Sequence, residues 1–136
     1  MSKVEQTLSL IKPDAVERNL EEEIKQFFIK SGFKITKQKK VKLEKKDAEI
    51  FYKVHETKPF YNDLCNYLSS GPIVAMILEK VDAVSENRKV MGATDPTKAD
   101  EGTIRKKYGI SIDKNSVHGS DSIEKAIKEI NFFFKT

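Results

Sequence analysis

The chain has 136 residues, 38% of them hydrophobic and 34% charged, which suits one well-solvated domain with room for a sizeable core. A net charge of +4, from 25 basic against 21 acidic residues, excludes a histone-like polyanion binder. No stretch reaches the roughly 18 apolar residues of a membrane span, no apolar leader follows Met1, and the single cysteine, Cys65, cannot form an internal disulfide, which fits a reducing cytoplasm.

In chain order, Thr7–Ile11 (TLSLI) reads as a short strand stopped by Pro13 and Asp14. Asn19 is predicted to cap a helix with Glu21, Glu22 and Glu23 in its first turn and an apolar stripe of Leu20, Ile24, Phe27 and Phe28, ended by Gly32. Phe33, Ile35, Val41 and Leu43 share one parity in a lysine-rich stretch, as in an exposed edge strand. Ala48, Ile50, Phe51 and Val54 suggest a second helix. A third is predicted with Pro59 at its first position and Leu64, Tyr67 and Leu68 in periodic order. After Gly71 and Pro72, Ile73–Leu78 (IVAMIL) reads as a central strand buried on both faces. Residues 80–117 look loop-rich, punctuated by Gly92, Pro96, Gly102 and Gly109. Asp121 and Glu124 resemble a capping box, opening a helix whose core stripe is Ile123, Ala126, Ile127, Ile130, Phe133 and Phe134. This alternation of strands and helices suggests a parallel βαβ sheet.

One of only two histidines, His118, lies just before that last helix, between Val117 and Gly119. A helix N-terminus attracts anions, and Gly119 would let backbone approach a ligand. A neutral imidazole is nucleophilic, so His118 could carry a phosphoryl group as phosphohistidine; a turn that happens to hold an imidazole is the plainer alternative. Glu129 flanks the core stripe in helical projection, placed either as an ordinary border residue or to reach back toward His118 or Ser120. His55 reads as a surface or capping residue. Only Arg18, Arg88 and Arg105 are arginine among the 25 basic residues, so each is a candidate for phosphate recognition. There is no G-x-x-x-x-G-K-[ST] loop, no H-R-D or D-F-G sequence, and no cysteine–histidine cluster for zinc.

The stretch Asn115-Ser116-Val117-His118-Gly119-Ser120-Asp121 resembles the N-x-x-H-G-S-D signature of nucleoside diphosphate kinases. "IKPDAV" at 11–16, "KPFY" at 58–61, "SGPIVAMILE" at 70–79, "GATDP" at 92–96 and "GTIR" at 102–105 are similar to further family blocks, in family order and spacing. The resemblance spans residues 1–136 as a single domain and implies an α+β, ferredoxin-like fold, an antiparallel four-stranded sheet covered by helices. It implies ping-pong transfer of a terminal phosphate from a nucleoside triphosphate to a diphosphate, with His118 as nucleophile and Glu129 and Ser120 positioning its ring. Lys12, Tyr52, Arg88, Thr94, Arg105 and Asn115 would bind phosphates and sugar, and Phe60, with Leu64 and Ile112, would hold the base. The implied cofactor is magnesium, held by nucleotide phosphates rather than by the protein.

The block at Gly92–Pro96 implies subunit contacts and a cytoplasmic homo-oligomer, with no membrane partner. The chain resembles the family's short form without a C-terminal extension, leaving tetramer or hexamer open. Lys106 and Lys107 depart from the family pattern and are expected to lie near the nucleotide. The rival reading is a non-catalytic nucleic-acid-binding module on a ferredoxin-like sheet, although no RNP-like aromatic strand is present. A histidine phosphatase would want arginine where Val117 stands.

Overall fold

The computed structural model describes residues 4–112 and 114–134. Met1 and Thr136, the ends used in reading the sequence, lie outside them. In chain order the elements are β1 (Val4–Ile11), α1 (Pro13–Glu17), α2 (Glu21–Lys30), β2 (Lys34–Val41), α3 (Lys45–Phe51), α4 (Tyr61–Leu68), β3 (Ile73–Val81), α5 (Ala83–Met91), α6 (Ile104–Tyr108), β4 (Val117–Gly119) and α7 (Ile123–Phe133). Short 3-10 turns occupy Lys53–His55 and Pro96–Lys98.

The strands form one sheet in the order β2-β3-β1-β4, each neighbouring pair antiparallel. This is the α+β, ferredoxin-like architecture, not the parallel sheet that alternation suggests. The alternation misleads for a definite reason. β1 and β2 do run the same way, because both are antiparallel to β3, but β3 lies between them. β3 and β4 are likewise parallel with β1 between. The helical connections β1–β2 and β3–β4 therefore join parallel strands that are not neighbours, while α3 and α4 link the antiparallel neighbours β2 and β3.

The sheet is covered on both faces. Val74, Met76 and Leu78 of β3 pack with Ile24 and Phe28 of α2 and with Ala83 and Met91 of α5. Ile73 and Ala75 face the other way, with Leu8 and Leu10 of β1, Ala48 of α3, Leu68 of α4 and Phe133 of α7. IVAMIL is therefore a central strand buried on both sides, and β2 is the lysine-rich edge.

Local chemistry shifts several predicted boundaries. Asn19 does not cap α2: its φ of 60° places it in the left-handed region, which asparagine tolerates, and Leu20 holds the N-cap position. Pro13 begins the short helix α1 instead of a turn. Pro59 stands outside α4, whose N-cap is Phe60. Ile50 faces outward within α3, and Val54 is exposed in the 3-10 turn that follows Tyr52. Residues 80–117 contain α5 and α6 where a loop-rich stretch is expected; the buried stripe of α5, Ala83, Val84, Asn87 and Met91, carries a polar side chain that breaks the apolar pattern. In α7 the buried line is Ala126 and Phe133, while Ile123 and Ile127 face outward. Its cap is Ser122, whose side chain accepts from Lys125 N at 3.1 Å. Asp121 pairs with Lys125 Nζ at 3.2 Å.

The two candidate caps separate in urea unfolding. Ser122→Ala is expected to cost about 1 kcal/mol, and Asp121→Ala, losing an exposed ion pair, less than about 0.5 kcal/mol. The reverse order would contradict this cap assignment.

Candidate active site

β4 pairs with β1 so that His118 opposes Leu10 and Val117 opposes Ile11. Lys12 follows β1 directly, and its backbone N–H donates to Ser116 O at 2.8 Å. Paired residues share a face, so His118 joins Leu10 on the face covered by α3, α4 and α7. His118 is thus part of a strand, not of a turn at the helix start. Its ring meets Phe51 edge-on at 5.3 Å between centroids and Tyr52 at 6.3 Å.

From α7, Glu129 places Oε1 2.9 Å from His118 Nε2, and the same oxygen accepts from Ser120 Oγ at 2.7 Å. Ser120 is fully buried. One carboxylate oxygen therefore ties the ring to the residue that follows its strand.

In front of the histidine lies a cavity of about 470 Å³. Lys12, Arg88 and Arg105 supply its cations, Tyr52, Thr94 and Asn115 its polar groups, and Phe60, Leu64 and Ile112 its apolar wall. All these residues singled out in the sequence meet there with His118; Ser120 and Glu129 do not line it. Phe60 and Ile112 are largely exposed, as a slot for a flat ring requires.

Lys12 and Arg105 are held by named partners. Lys12 Nζ donates to Asn115 Oδ1 at 3.1 Å and lies 5.6 Å above the Tyr67 ring, while Asn115 Nδ2 donates to Thr94 O at 3.1 Å. Arg105, nearly buried, donates through Nη1 to Gly92 O at 3.0 Å and through Nη2 to Val117 O at 2.9 Å. Its Nε is buried with no partner among the described residues. Burial, then the Arg88 charge, lowers its pKa to about 10. It stays cationic at neutral pH and unusually poorly solvated, so it gains more than a surface arginine from an arriving anion. Burial, then Glu129, pushes the Tyr52 phenol well above its ordinary value, so it remains a neutral donor.

Gly119 lines the cavity, and it also lets α5 pack closely on β4: a Cβ there would run into the Asn87 side-chain amide and meet Met91 Cε at 2.7 Å. Lys106 and Lys107 do not line the cavity; Lys107 Nζ lies over the Tyr108 and Phe27 rings at 5.4 and 5.8 Å. His55 does line it, 5.8 Å from Phe60, where a surface or cap residue was expected. It closes the 3-10 turn Lys53–His55, and no periodicity in the sequence marks that position. Among the described residues Asp121 is the only carboxylate on the wall. Among the described residues no three His, Cys, Asp or Glu side chains gather as a metal cluster, and no helix is long and apolar enough to cross a membrane.

The fold and this histidine-centred cleft define an α+β protein of the kind that handles phosphorylated ligands. The family model described as nucleoside diphosphate kinase matches residues 5–136. Relatives of that name from Persephonella marina and Campylobacter curvus are 55% and 54% identical over 131 residues, covering 96% of this chain and 94% and 96% of theirs. The crystal structure of the Aquifex aeolicus nucleoside diphosphate kinase superposes with a TM-score of 0.95 at 40% identity, covering 98% of this chain and 96% of that one. The Encephalitozoon cuniculi enzyme gives 0.94 at 39% identity, covering 97% and 90%. The chain belongs to the nucleoside diphosphate kinase family.

His55 yields a pH prediction. Burial, then Lys125 and Lys58, lowers its pKa below the ordinary 6.5. The unfolded chain takes up that proton at higher pH than the fold does, so the histidine's contribution to stability is present above that range and lost as pH falls through it. Between about pH 7 and 5, urea titration is expected to show a smaller loss of stability in His55→Gln than in the wild type. An equal or larger loss would refute the shift.

Proposed function

We infer that the protein transfers the terminal phosphate of a nucleoside triphosphate to a nucleoside diphosphate through a phosphohistidine on His118, in two half-reactions at one site. The observation that carries this is the bond from His118 Nε2 to Glu129 Oε1. A carboxylate only accepts, so Nε2 holds the proton and Nδ1 of the neutral ring holds the lone pair.

In the first half-reaction Nδ1 attacks the γ-phosphorus, and the bond to the β-phosphate oxygen breaks with its electron pair on the departing diphosphate. In the second, a β-phosphate oxygen of another diphosphate attacks phosphorus and the N–P bond breaks. Lys12, Arg88 and Arg105 offset the charge that spreads over the phosphoryl oxygens, while Asn115 and Thr94 fix the position of Lys12. Tyr52 donates toward the phosphate and ribose region, and Phe60, Leu64 and Ile112 take the base by its faces. Stacking of that kind suits any base. Glu129 and Ser120 hold the ring through both steps.

A magnesium ion would enter with the nucleotide, held by its phosphates: the described wall is rich in cations that suit phosphate and offers no cluster of carboxylates to hold the metal itself. When bound, it supplies further charge neutralisation on the phosphates. A cytoplasmic homo-oligomer, tetramer or hexamer, built through the loop at Gly92–Pro96, completes the reading. A sheet covered on both faces argues against the nucleic-acid module, which needs a bare one.

Incubation with γ-labelled ATP and magnesium is expected to leave acid-labile, alkali-stable label on the wild type and none on His118→Gln. Label surviving in His118→Gln would refute the mechanism. Glu129→Gln is expected to slow transfer by roughly 100-fold while the protein stays folded; an unchanged rate would remove Glu129 from its assigned role.

A further inference from the structure

Ser116 separates the residue that holds Lys12 from the strand that carries His118. It is fully buried, and its φ of 75° lies in the left-handed region that serine rarely adopts. Its hydroxyl is engaged from two sides. Ser116 Oγ donates to Asp14 Oδ2 at 3.2 Å and accepts from Arg18 Nη2 at 3.3 Å.

Those partners are themselves anchored. Arg18 also binds Asp14 Oδ2 at 3.2 Å, Asp14 O at 3.1 Å and Tyr108 O at 2.6 Å. The Tyr67 hydroxyl donates to Asp14 Oδ1 and accepts from Asp14 N at 2.8 Å. The network joins α1, α4 and the end of α6 to a single serine. It also accounts for Arg18, which does not line the nucleotide cavity.

What the serine backbone does is visible on either side of it. Ser116 O accepts from Lys12 N at 2.8 Å, Asn115 Oδ1 holds Lys12 Nζ at 3.1 Å, and Val117 N closes back onto Asn115 O at 2.9 Å before β4 begins. A left-handed residue here reverses the chain locally. Asn115 can then serve Lys12 while His118 stays paired with Leu10. Without a fixed φ at this residue, lysine and histidine could not both keep their places.

We propose that Ser116 is a positioning residue for phosphoryl transfer: its buried hydroxyl, clamped by Asp14 and Arg18, holds the left-handed turn that aligns Lys12 and Asn115 with His118. This rests on the phosphohistidine reading above. In Ser116→Ala the strained φ loses its restraint, and the turn relaxes. In Ser116→Gly the hydroxyl is equally absent, but glycine adopts the same φ without steric cost. The two variants therefore separate the geometry of the turn from the mere loss of a buried contact.

The test is the single-turnover rate of His118 phosphorylation at saturating magnesium-ATP, expressed per folded protein as judged by circular dichroism. Ser116→Ala is expected to be roughly tenfold slower, with ATP affinity changed less than about twofold, and Ser116→Gly is expected to recover most of the lost rate. A purely structural serine would lower the melting temperature of both variants and leave the rate alone. Ser116→Ala at the wild-type rate, or Ser116→Gly no faster than Ser116→Ala, would overturn the proposal. A wild type that never becomes phosphorylated would instead overturn the phosphohistidine reading itself, and the proposal with it.

Discussion

Strand β4 is three residues long, and its pairing with β1 is the constraint from which the cleft follows. The ladder opposes His118 to Leu10, and Lys12 leaves β1 only two residues further on. Neither partner can move without breaking sheet hydrogen bonds whose loss in a buried edge costs free energy. The helices then act on a fixed frame. α7 brings Glu129 to the ring, α3 brings Phe51 and Tyr52 against it, and α5 packs on β4 closely enough to demand glycine at 119.

The cleft combines two requirements that oppose each other in water. It gathers three cations, two of them (Lys12 and Arg105) nearly buried, beside an apolar slot at its mouth. Arg105 shows how the cost is contained: two backbone carbonyls accept from its terminal nitrogens, while Nε is left without a partner. Such a group is stable enough to fold and under-solvated enough to favour an anion. A carboxylate beside it would have neutralised that preference. Asp121, the only acid on the wall among the described residues, is already paired with Lys125.

Much of this was legible from residues alone where one periodicity dominates. IVAMIL, the first glutamate-led helix and the last helix announce themselves by burial pattern and spacing, and Glu129 was placed on the border of its stripe, where the structure finds it within reach of His118. α5 is hidden in the sequence because Asn87 sits in the middle of its buried face, so the apolar pattern breaks where the helix is most enclosed. Sheet direction was illegible for a different reason: split crossovers and simple βαβ units have the same order of elements, and only a third strand tells them apart. The role of Ser116 carries no local signal either. Its partners Asp14 and Arg18 lie about a hundred residues away in sequence, and a left-handed serine looks like any other serine.

The central claim is that the proton on His118 Nε2, held by Glu129, leaves Nδ1 as the atom that takes the phosphoryl group. Phosphorus-31 NMR of the protein, quenched after mixing with magnesium-ATP and compared with the two phosphohistidine isomers, tests it most directly. The account predicts a single resonance for the Nδ1 isomer. A resonance for the Nε2 isomer, or none attributable to phosphohistidine, would contradict it.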